Sequence, residues 1–516
     1  MSEPTTGIVY LVGAGPGDPA LLTVRGRDLL ATCDIIATDA LANPAIVATA
    51  RLTNPHVEIL AVGKRGGSSE SASQDSINAL LVELGRSGKR VVRLKGGDPL
   101  VFGRGSEEAQ ALAAAGVMFE IVPGVTAGIA APAYAGIPVT HRGVATSVTF
   151  VTGHEDPSKP DTQTDWTALA RAGGTIVLYM GVRSLPRITA ALVSGGMSPD
   201  TPAAAVQWGT HARQRTVVAT VATLTDAIAR EGLGAPVITI IGHVVSLRDE
   251  ITWFDRKPLF GKRVVVTRAS AQATGLRDAL SALGADIVEV PALRIERLDD
   301  APLRAALGQL NQFQWVIFTS QNAVQIVWDT LLAGGQDTRA FAQCRFACVG
   351  SATRDALRSR GIEADIVPER YVAEGVLDAM GARDDVRGTR ALYLAAEGAR
   401  DVLPSGLRKM DCEVEVVHVY RSVSDGEGSD ALRAALSAGG VSAVTFASAS
   451  AVRGYVDAVG AEWARAVPGV SIGPITSDAL RAAGIPIGVE ASEASVIALA
   501  DATARFVASR TTPDDG

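Results

Sequence analysis

Short apolar segments alternate along the chain with longer segments in which apolar residues recur every three or four positions. In the amino-terminal part, the short segments lie at residues 8–12, 34–37, 57–62, 91–94 and 119–122. Helical spacing is found between them, for example at residues 21–31, 73–84 and 107–115. Strands that alternate with helices predict a parallel sheet, because parallel neighbours need a crossover connection. We therefore predict an α/β fold with helices covering a parallel sheet.

The same pattern starts again near residue 147. Further strands are predicted at residues 147–151, 175–179, 203–206 and 237–241. Residues 251–261 do not continue the pattern and predict a linker, and a new strand follows at residues 263–267. We expect the amino-terminal half to consist of two α/β units, at about 1–143 and 144–250.

The carboxyl-terminal half contains an internal repeat. The segment Phe318-Thr319-Ser320 recurs as Phe446-Ala447-Ser448, and Gly350 with residues 355–358 recurs as Gly473 with residues 478–481. A repeat unit longer than 100 residues indicates two similar α/β lobes rather than a solenoid. Each repeated strand ends in small or hydroxyl-bearing residues that start a helix, and such ends bind anionic groups well.

The composition fits this architecture and excludes several classes of protein. Of the 516 residues, 47% are hydrophobic, 20% are charged and 5% are aromatic, so large aliphatic cores can form. The net charge of −7 is spread evenly, and no basic stripe indicates a nucleic-acid partner. No apolar run approaches the ~20 residues that span a bilayer, and the first residues carry no basic leader. We expect a cytoplasmic protein with no membrane partner.

The four cysteines do not predict a metal site. Cys344 and Cys348 are four positions apart, but no second pair and no nearby histidine complete a zinc site. We interpret these two residues, with Cys33 and Cys412, as small buried apolar residues in a reducing compartment. We therefore expect no bound metal.

Three glycine-containing turns each follow a predicted strand, at residues 13–18, 96–99 and 123–127. One such turn alone is more often an ordinary tight turn. Three of them on strands of one parallel sheet predict a shared cleft, because open α/β sheets bind ligands outside the carboxyl ends of their strands.

The first of these turns narrows the choice of ligand. A dinucleotide fingerprint has a glycine at the position of Asp18, whose carboxylate would repel a pyrophosphate. The chain also has no GxxxxGK[ST] segment for a nucleoside triphosphate. S-adenosylmethionine suits the turns better, because its sulfonium is positively charged and therefore fits beside carboxylates and open backbone, whereas cationic side chains would repel it. Its amino and hydroxyl groups need acceptors, which Asp98 and the exposed carbonyl groups of the turns could supply.

These motifs resemble, in content and in order, those of the uroporphyrinogen-III C-methyltransferases. The resemblance covers roughly residues 7–250 and is carried by VGAGPGDP at 12–19, VGKR at 62–65, VVRLKGGDP at 91–99, VPGVTA at 122–127 and AGIPVTHR at 135–142. It implies S-adenosylmethionine and a tetrapyrrole in the trough between the two units, in a homodimer. The positions that match the S-adenosylmethionine site of the family are Pro16, Gly96, Gly97, Asp98, Val101, Thr126, Ala127, Met180 and Gly209.

The resemblance also implies that Asp39 is a proton acceptor and Lys64 a proton donor. Methyl transfer to a pyrrole carbon calls for a carboxylate base and a cationic acid near the ring. By position alone, a solvated surface charge accounts for each residue equally well. The implied substrate has eight carboxylates, so we expect positive side chains beside the motifs. The candidates are Lys64, Arg65, Arg104, His141, Arg142, Arg183, His211, Arg213 and Arg215.

The carboxyl-terminal half resembles uroporphyrinogen-III synthase. The matching segments are GKRVVVTR at 261–268, VIFTSQNAV at 316–324, VGSAT at 349–353, VYR at 419–421 and SIGPIT at 471–476. The resemblance implies that this half closes linear hydroxymethylbilane into a ring with inversion of the last pyrrole. It also implies two lobes, at about 262–296 plus 424–508 and at 297–420, within a synthase unit of 262–508. A disordered tail is expected at 509–516.

Tyr420 matches the functional tyrosine of the synthase family and could donate a hydrogen bond to the departing hydroxide. The alternative is a half-buried strand tyrosine. Contacts to substrate carboxylates are carried over from the family to Thr319, Ser320, Ser351, Thr353, Ser448 and Thr476. Helix N-capping accounts for each of these hydroxyl residues equally well.

Both resemblances together predict a multifunctional enzyme, a methyltransferase and lyase of porphyrin biosynthesis. The carboxyl-terminal half would make uroporphyrinogen III, and the amino-terminal half would methylate it twice to precorrin-2, on the route to sirohaem and cobalamin. Two alternatives remain open. The amino-terminal half could methylate another corrin intermediate, and the carboxyl-terminal half could be a non-catalytic ligand-binding module.

Overall fold

The computed structural model describes residues 7–62, 73–154, 164–267, 270–289, 293–369, 373–424, 429–437 and 440–510. These residues form four five-stranded sheets covered by helices, two in each half of the chain. The predicted α/β fold class is confirmed. None of the helices in these ranges is long and apolar enough to cross a membrane.

The first sheet is parallel throughout, with strand order β3-β2-β4-β1-β5. Its elements are β1 Ile8–Gly13, α1 Val24–Leu30, β2 Ile35–Thr38, α2 Pro44–Thr53, β3 Glu58–Ala61, α3 Gln74–Arg86, β4 Arg90–Lys95, α4 Gly105–Ala114 and β5 Met118–Val122. From β1 the chain continues to β2, on one side of the β1–β4 pair, and from β4 it continues by way of α4 to β5, on the other side. The carboxyl ends of β1 and β4 therefore flank a topological switch point, where open α/β sheets bind ligands.

The second sheet is mixed, with strand order β6-β7-β10-β8-β9. The elements are α5 Ala127–Tyr134, β6 Val148–Thr152, α6 Trp166–Ala172, β7 Thr175–Tyr179, α7 Leu185–Ser194, β8 Pro202–Gln207, β9 Arg215–Thr220, α8 Leu224–Arg230, β10 Val237–Ile241 and α9 Arg248–Ile251. Strand β10 runs antiparallel to both β7 and β8. The carboxyl ends of β7 and β8 therefore lie at the same edge of this sheet.

Strand β9 was not predicted from the sequence. It pairs antiparallel with β8 after a connection of only seven residues, 208–214. A connection this short cannot contain a crossover helix, so the two strands form a hairpin. The 208–214 loop, as we name this connection, lies at the same edge as the carboxyl end of β7.

The segment predicted as a linker, residues 251–261, is packed against both halves of the chain. Phe254 is 4% exposed and contacts the ring of Tyr134, and the indole of Trp253 donates a hydrogen bond to the carbonyl of Ala133 at 3.0 Å. Leu259 is fully buried in a core of the carboxyl-terminal half. These contacts fasten the end of the first half to the start of the second.

The third sheet has strand order β12-β11-β18-β19-β20, and the fourth β13-β17-β16-β14-β15. The elements, in chain order, are β11 Arg263–Val266, α10 Ser270–Ala282, β12 Asp286–Glu289, β13 Leu293–Arg297, α11 Asp300–Leu307, β14 Trp315–Phe318, α12 Gln321–Ala333, β15 Arg345–Cys348, α13 Ser351–Arg358, α14 Ala373–Gly381, β16 Arg390–Ala396, α15 Val402–Lys409, β17 Glu413–Ser424, α16 Ser429–Ser437, β18 Val441–Phe446, α17 Ala449–Val459, α18 Ala461–Ala464, β19 Gly469–Ser471, α19 Pro474–Ala483, β20 Ile487–Glu490 and α20 Val496–Ser509.

The two carboxyl-terminal sheets share a layout but differ in chain order. The sequence repeat matches β14 and β15 with β18 and β19. In space, β16 is the neighbour of β14, and β11 is the corresponding neighbour of β18. In the fourth sheet the repeated strands come before this neighbour in the chain, whereas in the third sheet they come after it. The two lobes are therefore related by a circular permutation. Each repeated strand is followed by a helix whose amino terminus lies at the carboxyl edge of its sheet.

One boundary within this half differs from the prediction. Strand β13 was expected in the lobe of the third sheet, but it pairs antiparallel with β17 in the fourth. The chain therefore crosses between the lobes before Leu293, because the ladder with β17 holds residues 293–297. At the far end, helix α20 extends to Ser509, and residues 511–516 of the predicted tail lie outside the described part.

Candidate active site

The three glycine turns of the first sheet meet at the carboxyl ends of β1, β4 and β5. Gly15 and Gly97 exchange two backbone hydrogen bonds, at 3.2 and 2.7 Å. A Cβ atom on Gly13 would lie 2.6 Å from Cα of Gly124, and one on Gly124 would lie 2.3 Å from the carbonyl oxygen of Gly97. Side chains at Gly13 and Gly124 are therefore excluded by backbone contact. The predicted convergence of the turns is present, and Pro16 lies half-buried in the first of them.

The carboxylate of Asp98 fastens these turns together. One of its oxygens accepts hydrogen bonds from the backbone N–H groups of Leu100 and Val101, at 2.8 and 3.2 Å. The other accepts from the N–H of Gly124 at 3.1 Å. The sequence predicts that this carboxylate faces a ligand, but three of its hydrogen-bond acceptor positions are occupied by backbone N–H groups. Its main role in this structure is to build the turn.

Gly97 presents open backbone towards the start of α5, whereas a Cβ on its neighbour Gly96 would lie 2.8 Å from Cβ of Leu41. Gly97 has φ +69°, and a Cβ there would meet its nearest neighbour, the backbone nitrogen of Ala127, only at 3.8 Å. Thr126 is the N-cap residue of α5, and Ala127 begins the helix. The side of Gly97 that faces Thr126 and Ala127 is therefore bounded by backbone and free of large side chains.

Tyr179, at the end of β7, joins the second sheet to this region. Its hydroxyl oxygen lies 2.6 Å from Oγ1 of Thr126 and accepts a hydrogen bond from the N–H of Gly128 at 2.6 Å. Burial raises the pKa of this hydroxyl, so it remains protonated. The next residue, Met180, is 52% exposed and adopts a left-handed backbone with φ 53°. Met180 therefore stands at the junction of the two sheets.

The 208–214 loop closes the same junction from the other side. A Cβ on Gly209 would lie 2.3 Å from Cβ of Ala131, so glycine is required for α5 to pack here. Oγ1 of Thr210 accepts a hydrogen bond from the N–H of Asp18 at 2.9 Å, which ties the loop to the first glycine turn. Trp208 and Thr210 both have positive φ, at 49° and 71°. Such strained residues cluster at functional sites.

Asp39 follows β2 and lies beside Gly96. The N–H of Gly96 is 3.3 Å from both carboxylate oxygens, and the N–H groups of Leu41 and Ala42 donate to Oδ1 at 3.1 Å. The carboxylate is thus held at the rim of the cleft. Lys64 and Arg65 lie outside the described residues; the described chain stops at Val62, whose N–H is bonded to the carbonyl of Thr38 at 2.9 Å.

The other predicted contacts to an acidic substrate are exposed cations. Arg104 forms a two-pronged ion pair with Glu107, with distances of 2.8 and 2.7 Å, and this pairing raises its pKa. His141 and Arg142 are exposed on the turn that leads to β6. The structure does not bring these three residues to Asp39 through any contact.

Comparison with known proteins agrees with this geometry. The model of the Tetrapyrrole (Corrin/Porphyrin) Methylases matches residues 8–225, and that of Uroporphyrinogen-III synthase HemD matches residues 275–501. A porphyrin biosynthesis protein HemD of Ruminiclostridium josui is 35% identical over 92% of this chain and 93% of its own length. The chain belongs to both families.

Relatives of single halves point the same way. The S-adenosyl-L-methionine-dependent uroporphyrinogen III methyltransferase of Methanosarcina barkeri is 49% identical over 47% of this chain and 94% of its own length. A siroheme synthase of Chromobacterium violaceum is 48% identical over 48% of this chain, and this chain spans 52% of its length. With the two family matches, the amino-terminal half is a methylase half and the carboxyl-terminal half a synthase half.

In the synthase half, Tyr420 lies in β17 at the carboxyl edge of the fourth sheet. Its hydroxyl is 3.0 Å from Oγ of Ser320, the residue that follows the strand β14 and the turn residue Thr319. Ser320 Oγ also accepts the N–H of Ala323 at 3.1 Å, so it caps α12. The N-capping alternative thus holds for Ser320, and its hydroxyl contacts the predicted tyrosine as well.

Ser448 repeats this arrangement in the other lobe. Its Oγ accepts the N–H of Ala451 at 3.1 Å and caps α17. Helix α17 lies against β17 and β13 of the fourth sheet. The two capped helices, α12 and α17, therefore begin at the carboxyl edges of their own sheets, and both contact β17.

The remaining hydroxyl candidates divide into two groups. Thr319 and Ser351 are half-buried at the ends of β14 and β15. Thr353 and Thr476 are 4% and 3% exposed, so their side chains face the interior. The resemblance predicts that both threonines contact substrate carboxylates, and their burial argues against that role.

No metal site is found among the residues that the structure describes, which contain no group of three or more histidine, cysteine, aspartate or glutamate side chains able to hold an ion. Cys33, Cys348 and Cys412 are buried and Cys344 is half-buried, and all four thiols are free. Burial raises the pKa of the Cys33, Cys344 and Cys348 thiols to about 11. These thiols are therefore unreactive core groups at neutral pH.

Two residues at the site were missed by sequence reasoning. Tyr179 joins the two sheets through a contact between residues 53 positions apart, which no local pattern predicts. From the sequence, the only conclusion drawn from the Asp18 carboxylate was that it would repel the pyrophosphate of a dinucleotide. In the structure its carboxylate accepts the N–H of Ala20 and the hydroxyl of Tyr134, at 2.9 and 2.8 Å. The only sequence signal for either residue is its place directly at or after a strand end.

Proposed function

We propose that the chain is a bifunctional enzyme of tetrapyrrole synthesis. The synthase half cyclises hydroxymethylbilane to uroporphyrinogen III, and the methylase half methylates that product twice with S-adenosylmethionine to give precorrin-2. The observation that carries the proposal is the meeting of three glycine turns at the switch point of the first sheet, with Asp39 at their rim. Membership of both families in one chain supplies the substrate class.

The turns fit S-adenosylmethionine. When bound, it supplies an electrophilic methyl group on a sulfonium. The space beside Gly97 is bounded by the backbone of Thr126 and Ala127, with no cationic side chain between them, which suits a positively charged ligand. Met180 and the exposed side chains of Leu41 and Phe102 supply apolar surface beside this backbone. Val101 and Ala127 pack into the core below and fix its shape.

In this proposal Asp39 handles the proton of the reaction. A pyrrole carbon forms a bond to the methyl group while the carbon–sulfur bond breaks, and the sulfur keeps the electron pair. The ring then carries a positive charge until a proton leaves. The Asp39 carboxylate, held by three backbone N–H groups, stabilises that charge and accepts the proton. Lys64 remains the proposed donor in this scheme.

In the synthase half, Tyr420 assists the departure of hydroxide from hydroxymethylbilane. Its phenol donates a hydrogen bond to the leaving oxygen, and Ser320 fixes the position of the phenol. The amino termini of α12 and α17 supply N–H groups for substrate carboxylates. The terminal pyrrole then bonds to the freed carbon after inversion, which requires mainly that the flexible chain be positioned.

Product analysis with the full chain tests the proposal. Hydroxymethylbilane with S-adenosylmethionine should yield the cyclised III isomer and then its dimethylated product. Asp39→Asn should lower the rate of methylation about 100-fold or more and leave cyclisation intact, whereas the exposed Asp28→Asn should leave both intact. Methylation of a different corrin intermediate only, or tetrapyrrole binding without cyclisation, would support the alternative functions instead. We also propose a homodimer, which sedimentation equilibrium would test.

A further inference from the structure

Three charged side chains are buried almost completely beneath the rim of the methylase cleft. Arg93 and Lys95 of β4 are each 3% exposed, and Glu108 of α4 is fully buried. Charged residues are seldom buried this deeply, since each must give up its hydration. We name Arg93, Lys95 and Glu108 the charge cluster.

The sheet places Asp39 on the same side as this cluster. Arg93 and Lys95 are two positions apart on β4, so their side chains leave the same face of the sheet. Arg93 is opposite Ala37 in the neighbouring strand β2, and Asp39 lies two positions after Ala37. Strand alternation therefore directs the side chains of Asp39, Arg93 and Lys95 to one face, the face covered by α4.

The cluster contains more positive than negative charge. Oε1 of Glu108 accepts from both Nε of Arg93, at 3.2 Å, and Nζ of Lys95, at 2.9 Å. Oε2 of Glu108 is buried with no hydrogen-bond partner among the described residues. Burial and then the charge of Arg93 lower the pKa of Lys95. One carboxylate cannot balance two buried cations.

Asp39 is the carboxylate that can complete the balance. Its Oδ2 is 4.0 Å from Nη2 of Arg93, while Oδ1 is the oxygen that takes the N–H groups of Leu41 and Ala42. The guanidinium of Arg93 is fixed from its other side, since Nη1 donates to the carbonyls of Ala37 and Leu94 at 3.3 Å each. The cation therefore faces Asp39 from a rigid position.

We propose that the charge cluster is a positioning device for Asp39, in which Glu108 fixes Arg93 and Arg93 holds the Asp39 carboxylate in place at the rim of the cleft. This inference rests on the proposed role of Asp39 as proton acceptor. Stability alone does not account for the cluster, because well-packed apolar residues commonly replace buried ion pairs at no cost in stability. A lysine cannot replace Arg93 fully, since only a planar guanidinium reaches Glu108, two carbonyls and Asp39 together.

Variants of Arg93 test this role in the full chain. Arg93→Met should lower kcat for methylation about tenfold or more with little change in the Kd of S-adenosylhomocysteine measured by calorimetry. Arg93→Lys should restore most of the lost kcat, because it keeps a cation at this position. Arg90→Met, at the exposed start of the same strand, is the matched control and should leave kcat unchanged.

A double-mutant cycle separates positioning from a general effect on the fold. If Arg93 acts through Asp39, Arg93→Met should cause no further loss in an Asp39→Asn background, measured as single-turnover transfer of a labelled methyl group. Additive losses, or no recovery of kcat in Arg93→Lys, would overturn the inference. Should Arg93→Met fail to bind S-adenosylhomocysteine, the same cycle with Arg93→Lys decides the matter by the same criterion. Failure of the proposed function gives a different result, because the unmodified chain would then not methylate uroporphyrinogen III.

Discussion

His211 packs directly against Gly17, so that a Cβ atom on Gly17 would lie 2.3 Å from Nε2 of the imidazole. This contact joins the 208–214 loop to the first glycine turn, beside the hydrogen bond between Thr210 and Asp18. Burial, and next the nearby charge of Arg213, lowers the pKa of His211 to about 4. The imidazole is therefore neutral in the folded protein at neutral pH.

The first prediction is that His211 makes the methylase half sensitive to acid. Between about pH 6.5 and pH 4, the unfolded chain binds a proton at this histidine and the folded chain does not. The free energy of unfolding should therefore be unaffected above pH 6.5 and fall below it, by at most about 2 kcal/mol at pH 5. Denaturant titrations at pH 7.5 and pH 5 measure this fall. His211→Gln should reduce it, and the exposed His56→Gln should not. An equal fall in His211→Gln would contradict the assignment.

A second prediction concerns the carboxylate of Asp98. In Asp98→Asn, an amide NH₂ group would face either the N–H of Gly124 or those of Leu100 and Val101, so two donors would oppose each other. We expect the free energy of unfolding of the methylase half to fall by about 1–3 kcal/mol. The Kd of S-adenosylhomocysteine should rise about tenfold, because the turns lose their register. Calorimetry and urea unfolding measure the two effects, with the exposed Asp200→Asn as control. Unchanged binding would show that the turns hold their shape without this carboxylate.

The third prediction concerns the connection between the halves. Asp255 accepts hydrogen bonds from the guanidinium of Arg248 and, at 3.3 Å, from the amide of Gln214 in the 208–214 loop. Gly261 donates a backbone hydrogen bond to Ala212 of the same loop at 3.1 Å. Asp255→Ala should leave Arg248 half-buried without this partner and free the loop. We expect a loss of about 1–3 kcal/mol in stability and weaker binding of S-adenosylhomocysteine.

Thermal unfolding with and without S-adenosylhomocysteine measures this effect of Asp255→Ala. The exposed neighbour Asp249→Ala serves as the control. If both variants behave alike, the contact between connector and loop contributes nothing to the site. If only Asp255→Ala loses affinity, the connection between the halves helps to hold the 208–214 loop in place.

Much of the fold could be predicted because its strands are short apolar runs. The prediction of residues 91–94 and the observed strand Arg90–Lys95 differ by a single residue at each end. Strand β9 was missed because the apolar run in Arg215–Thr220 is only three residues long and stands between polar residues that are partly or fully exposed. Its place in the sheet depends on the antiparallel pairing with β8, which the local sequence pattern does not predict. Sequence reasoning therefore found buried strands and missed a half-exposed edge strand.

The site was predictable where a residue acts through its own backbone and not where it acts through distant partners. Gly13, Gly97 and Gly124 were found because glycines that directly follow buried strands open the backbone at the edge of the sheet. Glu108 was missed because the sequence shows only two adjacent glutamates, Glu107 and Glu108. One of them forms an exposed ion pair and the other is fully buried. Which of the two faces the sheet depends on the phase of α4, and only the packed structure fixes that phase.

The last prediction distinguishes the contribution of Tyr420 to cyclisation from that of Ser320, which contacts its hydroxyl group. Tyr420→Phe removes the phenol that would assist the departure of hydroxide, and we expect the rate of cyclisation to fall about 10- to 100-fold. Ser320→Ala removes the cap of α12 and the contact to the phenol. It should cost about 1 kcal/mol of stability and slow cyclisation less than the loss of the phenol itself.

Cyclisation is measured from the III isomer formed from hydroxymethylbilane, and methylation from uroporphyrinogen III supplied directly to the same preparations. Tyr393→Phe is the matched control, because Tyr393 is buried in the neighbouring strand β16 and burial raises its pKa to about 12. Methylation should be unchanged in all three variants, since their residues belong to the fourth sheet and the methylase cleft to the first two. A cyclisation rate for Tyr420→Phe equal to that of Tyr393→Phe would remove the tyrosine from the mechanism, and leave the capped starts of α12 and α17 as the groups that position the substrate.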